Sequence, residues 1–177
     1  MILIGLIGYK QSGKDTCADY LVEKYGFHKY AFAEPVKQVC KIMFQLDSQQ
    51  LEDSIQKEEN DPRWDLTPRQ MMQKVGTDMV RHYWGENFWV RCMEMRVYKD
   101  KKERIVVSDV RFQNEADWIK QNHGILVRIV DNTHSTYTDP HPSEVEQLSI
   151  QEDLVLSNRK DVSFFQEIES TLSFLLV

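Results

Sequence analysis

The feature that most constrains this chain is the stretch Gly8-Tyr9-Lys10-Gln11-Ser12-Gly13-Lys14, set between an apolar run and a helix-compatible one. Ile2 to Ile7 is a continuous apolar run broken only by Gly5, as suits a strand buried on both faces of a parallel sheet. From Lys14 to about Lys24 the sequence suits a helix, with Gly26 placed to stop it. Strand, glycine-bearing turn and helix in that order build an anion trap. Successive backbone N–H groups curl around the anion, the helix N-terminus adds partial positive charge, and glycines let the main chain come close. The spacing follows G-x-x-x-x-G-K, which places Lys14 to neutralise the β- and γ-phosphates of a nucleoside triphosphate. Gly8, Lys10, Ser12, Gly13 and Lys14 are therefore the expected donor-nucleotide residues. Asp15 stands where Ser or Thr usually supplies a magnesium ligand, and Thr16 follows it. Asp15 could bind the ion directly, act through water, or leave the hydroxyl role to Thr16. Its simplest role is to favour the helix dipole.

The rest of the chain continues the alternation. Tyr30 to Ala33 reads as a short strand, and Pro35 to Leu46 as a helix with Val36, Val39, Cys40, Met43 and Phe44 on its apolar face. Asp47 to Asp65 is polar and acidic, a partly helical surface excursion. Thr67-Pro68-Arg69-Gln70 carries an N-cap, a proline at the first helical position and the glutamine of a capping box, so a helix should run from there to Gly85. Helices are also expected over Phe88–Tyr98, Asn114–Asn122 and Val162–Leu175, and strands over Ile105–Val107, Ile125–Val130 and Leu154–Leu156. This order implies an α/β three-layer fold, a parallel sheet covered on both faces.

A length of 177 residues suits one domain. The net charge of −6, with no basic run, argues against a duplex nucleic-acid binder, which needs a positive face to displace counterions. Cys17, Cys40 and Cys92 lack metal-ligand spacing and read as small buried side chains in a reducing compartment. No stretch approaches the ~20 apolar residues of a membrane span. The cytoplasm is the expected location.

A chain that moves a phosphoryl group needs positioning and positive charge, because the transition state spreads negative charge over oxygens. The search is thus for arginines and lysines. Arg69 and Arg81 lie 12 residues apart, just over three α-helical turns, so both can face one side of the helix, and their planar forks suit phosphate oxygens. Gln73, one turn beyond Arg69, could read a base edge or hold the phosphate, and Lys37 is a weaker candidate. Asp109 falls at the carboxyl end of a buried strand, where ligands gather in open α/β sheets. It could orient a magnesium-bound water or the acceptor, and Arg111 could bridge donor and acceptor phosphates. The simpler reading has Asp109 capping a turn and Arg111 paired with Glu115. Tyr83, Trp84, Trp89 and Phe112 could stack on an acceptor base, although such aromatics more often pack a core.

Gly-x-x-x-Ser-Gly-Lys-Asp-Thr resembles the loop of bacteriophage-type deoxynucleoside monophosphate kinases, and phosphomevalonate kinases show a similar one. Tyr30-Ala-Phe-Ala-Glu-Pro-Val-Lys37 resembles the segment leading into the monophosphate-binding helix, which adds Phe32 and Ala33 to the acceptor residues. Thr67-Pro-Arg-Gln70 through Gly76-Thr-Asp78 and Arg81 resembles the acceptor-phosphate helix. Ser108-Asp-Val-Arg-Phe-x-Asn-Glu115 is similar to the family's strand-end motif, bringing Glu115 into the substrate set. Asp153-Leu-Val-Leu-x-Asn158 is similar to the last strand and adenine-side loop, with Asn158 on the ATP.

The resemblance implies a P-loop NTPase core, adenylate-kinase-like, with five parallel strands flanked by helices in one kinase domain over 1–177. The core would take 1–33, 104–130 and 151–177, the acceptor region about 34–103, and a short lid about 131–150. It implies ATP and Mg²⁺ as co-substrates, a deoxynucleoside monophosphate as acceptor and a diphosphate as product, in the host cytoplasm if the source is viral. It leaves monomer or homodimer open. The lid carries two prolines and His141-Pro-Ser-Glu144, but no Lys or Arg occurs between Arg128 and Arg159. The transfer charge must then come from Arg111, Arg128 or Arg81, or the lid only excludes water. Ser143 and Glu144 match a family-like pattern without an assigned role. Kinases for phosphomevalonate or dephospho-coenzyme A, and a nucleotide-binding regulatory module without turnover, are the rival readings. The guanine-reading Asn-Lys-x-Asp motif is absent, which weakens a GTPase.

Overall fold

The computed structural model describes residues 1–131 and 141–176. The chain packs as two units, residues 1–31 with 96–177, and residues 32–95.

In the first unit the apolar run Ile2–Ile7 is strand β1, and Lys14–Tyr25 is helix α1, closed by Gly26 in the left-handed conformation (φ 67°). Strand β2 is His28–Tyr30, two residues earlier than its apolar signal. The expected Tyr30–Ala33 strand is corrected by this, because Ala33 already caps the next helix. Strand β3 (Arg104–Val107), helix α7 (Gln113–Gln121), β4 (Ile125–Asp131), β5 (Leu154–Asn158) and helix α9 (Ser163–Leu172) complete it. The five strands pair in parallel in the order β2-β3-β1-β4-β5. β1 is central, with Ile4 opposite Val106 on one side and Ile125 on the other. A strand with neighbours on both edges and helices on both faces has no solvent face, which is why it shows no polar alternation. On one face Ile4, Leu6, Cys17, Leu21, Val127, Leu156, Phe164 and Ile168 form the core.

The second unit is helical. It comprises α2 (Glu34–Met43), α3 (Ser48–Glu52), α4 (Pro68–Gln73), a π-helical segment Lys74–Arg81, α5 (His82–Trp84) and the first part of α6 (Phe88–Asp100). Val36, Cys40, Leu46, Leu51, Met71, Val75, Val80 and Trp89 make its core. The expected apolar face of α2 is narrower than its sequence pattern, since Val39 and Met43 are exposed. The 47–65 region is partly helical as expected but holds the buried Leu51 and Asp61. Asp61 is tolerated there because the Arg63 fork and main-chain amide bind its carboxylate at 2.5–3.2 Å, holding its pKa far below the usual range. Among the described residues no helix is long and apolar enough to cross a membrane.

Candidate functional site

The loop between β1 and α1 is built by backbone that only certain residues permit. Gly8 and Gly13 have φ of 151° and 106°, and Gln11 has 62°. A Cβ at Gly8 would lie 2.5 Å from the Ile129 carbonyl oxygen, and one at Gly13 would lie 2.3 Å from Asn158 Nδ2. Both glycines therefore answer to conformation and to close approach. Ser12 N–H closes the turn on the Tyr9 carbonyl at 3.1 Å. Asn158, at the end of β5, donates from Nδ2 to the Ser12 carbonyl (2.8 Å) and accepts at Oδ1 from Lys160 N–H (2.8 Å). The expected ATP residue thus braces the loop from behind.

Ser12 is 1% exposed and its Oγ has no hydrogen-bond partner among the described residues. Buried hydroxyls rarely stay unpaired, so the loop offers a donor that a phosphate oxygen would satisfy. Lys14 Nζ curls back to donate to the carbonyls of Gly8 (2.5 Å) and Tyr9 (2.6 Å). Burial pushes its pKa from 10.5 down to about 8 and the Arg111 charge adds to this, while the carboxylates of Glu144, Asp15 and Asp109 oppose it. An ammonium held on neutral carbonyls beside a second cation is poised for an incoming polyanion. Lys10, half-buried, lies on the same loop.

The carboxyl end of β3 supplies the second part. Ser108 N–H donates to the Tyr30 carbonyl (3.0 Å) and Val110 N–H to the Leu6 carbonyl (3.1 Å), which fixes the backbone on either side of Asp109. Glu115, buried in α7, accepts from the main-chain N–H groups of Arg111 (2.9 Å) and Phe112 (3.2 Å). The Arg111 side chain pairs with Glu144, on the short helix α8 (Pro142–Val145), instead of Glu115. Burial works against the Arg111 charge, but Glu144 and Asp109 more than offset it, and its pKa stands above the usual arginine value.

For magnesium, the candidate oxygens are those of Asp15, Thr16 and Asp109. Asp15 is ion-paired with Lys29 at 2.7 Å and largely exposed, and Thr16 is exposed. Among the described residues no three His, Cys, Asp or Glu side chains form a cage. Magnesium needs none, because it keeps several waters and takes one or two carboxylates beside substrate phosphates. The donor set fits.

Of the three arginines considered for transfer, Arg128 is committed elsewhere. It binds Glu152 (2.8 Å) and the carbonyls of Gln147 (3.2 Å) and Ile150 (2.6 Å), anchoring 147–152 to β4. Residues 132–140 of the expected lid lie outside the described residues. Residues 141–150 are tied down, with Ser143, Glu144 and Gln147 buried.

In the second unit, Thr67 forms the expected capping box with Gln70 (3.2 and 2.9 Å). The expected α-helix to Gly85 gives way to a π-helix over Lys74–Arg81. That changes the geometry of the two arginines. Twelve residues of pure α-helix leave positions 69 and 81 roughly 120° apart around the axis. A π-helix winds about 4.4 residues per turn, so eight such steps bring the offset to roughly 25°. By that winding the π segment brings the two positions towards one face. Trp89 Nε1 donates to the Gly76 carbonyl at 2.8 Å, giving an oxygen inside the segment a partner from outside the helix. Arg69 Nε pairs with Glu58 (2.5 Å), Arg81 Nη1 with the Glu86 carbonyl (3.0 Å), and Lys37 with Glu52 (2.7 Å). Gln73 is half-buried at the end of α4. Phe32 and Ala33 lead into α2, with Phe32 in the core. Trp89 and Phe112 are also buried, whereas Tyr83 and Trp84 are exposed.

Comparison with known proteins bears on the fold and the family. A dephospho-CoA kinase from Campylobacter jejuni superposes with a TM-score of 0.53 at 15% identity, over 99% of this chain and 98% of the other, which establishes the fold. The deoxynucleoside-5′-monophosphate kinase of Escherichia phage T5 is 33% identical over 129 residues, 68% of this chain and 50% of that protein. A protein of Acanthamoeba polyphaga mimivirus, whose name provisionally makes it a deoxynucleotide monophosphate kinase, is 43% identical over 188 residues, 96% of this chain and 95% of its own. The model of the family described as deoxynucleotide monophosphate kinase matches residues 2–60 and 41–168, which span the phosphate loop, the arginine-bearing helix, the β3 end and β5. With sheet order, loop and sequence in agreement, the chain belongs to the deoxynucleotide monophosphate kinase family, a group of phosphotransferases.

Proposed function

We propose that the chain transfers the γ-phosphoryl group of ATP to a deoxynucleoside 5′-monophosphate, giving ADP and the deoxynucleoside diphosphate for DNA synthesis. The observation that carries this reading is Lys14, folded onto the carbonyls of its own glycine loop and close enough to Arg111 to be depressed by its charge. Loop amides and Lys14 hold the β- and γ-phosphates. A terminal oxygen of the acceptor phosphate attacks γ-phosphorus as the bond to the β–γ bridging oxygen breaks, and the leaving charge stays on ADP. The acceptor's second pKa is about 6, so it is largely dianionic at pH 7 and needs no general base. Arg111 neutralises charge on the transferring group, and Arg69 and Arg81 hold the acceptor phosphate, with Gln73 beside them. A magnesium ion, when bound, would neutralise β- and γ-oxygens, with Asp15, Thr16 or Asp109 to hold it. Viral relatives suit an enzyme working on the nucleotide pool of a host cytoplasm.

ADP release measured over a panel of acceptors tests the assignment. The panel contains the four common deoxynucleoside monophosphates, their ribonucleotides, phosphomevalonate and dephospho-coenzyme A. Release with one or more deoxynucleotides is expected. Release with dephospho-coenzyme A or phosphomevalonate alone would move the chain to another acceptor class. Tight ATP binding without acceptor-dependent product would make it a regulatory module.

A further inference from the structure

Of the carboxylates whose charge Lys14 feels, Glu144 is the most deeply buried, at 4% exposure. Among the described residues its two carboxylate oxygens face different side chains. Oε1 receives Arg111 Nη1, and Oε2 faces Gln147 Nε2 at 3.3 Å. Gln147, 2% exposed, also donates to the Glu144 carbonyl at 3.1 Å. The segment bearing both is fastened to the sheet unit independently. Gln113 N–H donates to Glu146 Oε1 (2.9 Å), and Arg128 takes the Gln147 and Ile150 carbonyls. Glu144 is thus a rigid anchor.

A buried ion pair is a weak source of stability, because desolvation offsets the attraction. This one stands where its geometry has a use. Among the described residues the Arg111 side chain makes one hydrogen bond, through Nη1 to Glu144. A guanidinium has five N–H donors, so the remainder of the fork is left for another anion. Lys14 feels both groups, with Arg111 lowering its affinity for a proton and Glu144 raising it. The acid also offsets repulsion between the two cations.

We propose that Glu144 is the positioning residue of Arg111, holding the guanidinium by one edge beside the phosphate loop so that its free donors meet the transferring phosphoryl group. The inference rests on the reading of Arg111 as the transfer cation. Glu144→Gln keeps the shape and removes the charge that orients the fork. Its kcat should fall about 10- to 100-fold, with the KM for ATP unchanged or lower, since the site becomes more positive. Glu144→Asp should recover part of the loss.

The double variant separates positioning from packing. Arg111→Ala and Arg111→Ala/Glu144→Gln should share one kcat, because no fork is left to orient. The double variant should melt higher than Arg111→Ala, whose buried carboxylate lacks its partner. Wild-type kcat in Glu144→Gln with a crippled Arg111→Ala would overturn the proposal, as would multiplicative losses in the double variant. Near-normal kcat in Arg111→Ala would instead overturn the role of Arg111 itself. If Glu144→Gln does not fold, Gln147→Met, which removes the clamp on Oε2 without changing charge, should still lower kcat several-fold. An unchanged kcat there overturns the proposal.

Discussion

Lys14 in the sheet unit and Arg69 and Lys37 in the helical unit are held in different ways. In the sheet unit Lys14 is held by main-chain carbonyls of its own loop, which are neutral acceptors close in sequence. In the helical unit Arg69 and Lys37 are held by the carboxylates of Glu58 and Glu52, 11 and 15 residues away. The first arrangement leaves the full charge available to a ligand. The second spends part of it on an internal partner, so a phosphate must compete. Lys14 is thus set by backbone before any ligand arrives, while Arg69 and Lys37 are tuned by exchangeable side chains.

Replacing Lys14 should break the comparison most visibly. Lys14→Ala is expected to lower kcat about a thousandfold, in the range seen on losing a preorganised donor at developing charge, with an unchanged melting temperature. A loss of less than tenfold in steady-state assays would remove the donor site from the account. Arg69→Ala should act on the other unit alone. The acceptor KM should rise about 30-fold, the equivalent of about 2 kcal/mol for one charge-assisted contact, with the ATP KM steady. Equal rises in both constants would show that the two sets of cations are not separate.

A pH series sharpens the contrast further. Lys14 is lowered to about 8 in the free protein, and bound phosphates must raise it again. Below pH 8 the lysine is charged in both states and adds no pH dependence. Above pH 8 binding must take up a proton, so ATP affinity should fall by up to about tenfold per pH unit until the bound-state pKa is reached. Calorimetric titrations between pH 7.5 and 9.5 would read this slope, and Lys14→Ala should abolish it. Glu58→Gln should give the smallest effect, an acceptor KM lowered no more than about fivefold. The pair is partly exposed, and such pairs contribute about 0–1 kcal/mol.

The same contrast explains what was legible in the sequence. β1, the loop and α1 were readable because their constraints are local: an apolar run, two glycines at positive φ, and a lysine at fixed spacing. The capping box at Thr67 was readable for the same reason. The π segment was not, since periodicity assumes 3.6 residues per turn and no single residue in Lys74–Arg81 announces a wider one. Arg111 was singled out by its place after a buried strand, and the alternative reading paired it four residues on, with Glu115. The structure gives that carboxylate to backbone amides and supplies Glu144 from 33 residues away. The pattern around His141-Pro-Ser-Glu144 was the available clue, and it named the residues without naming their partner.

The central claim is tested most directly by following the label of [γ-³²P]ATP in the presence of each deoxynucleoside monophosphate. The account predicts label in the deoxynucleoside diphosphate, dependent on both Lys14 and Arg69. Label confined to inorganic phosphate, or retained on ATP with every acceptor, would contradict it.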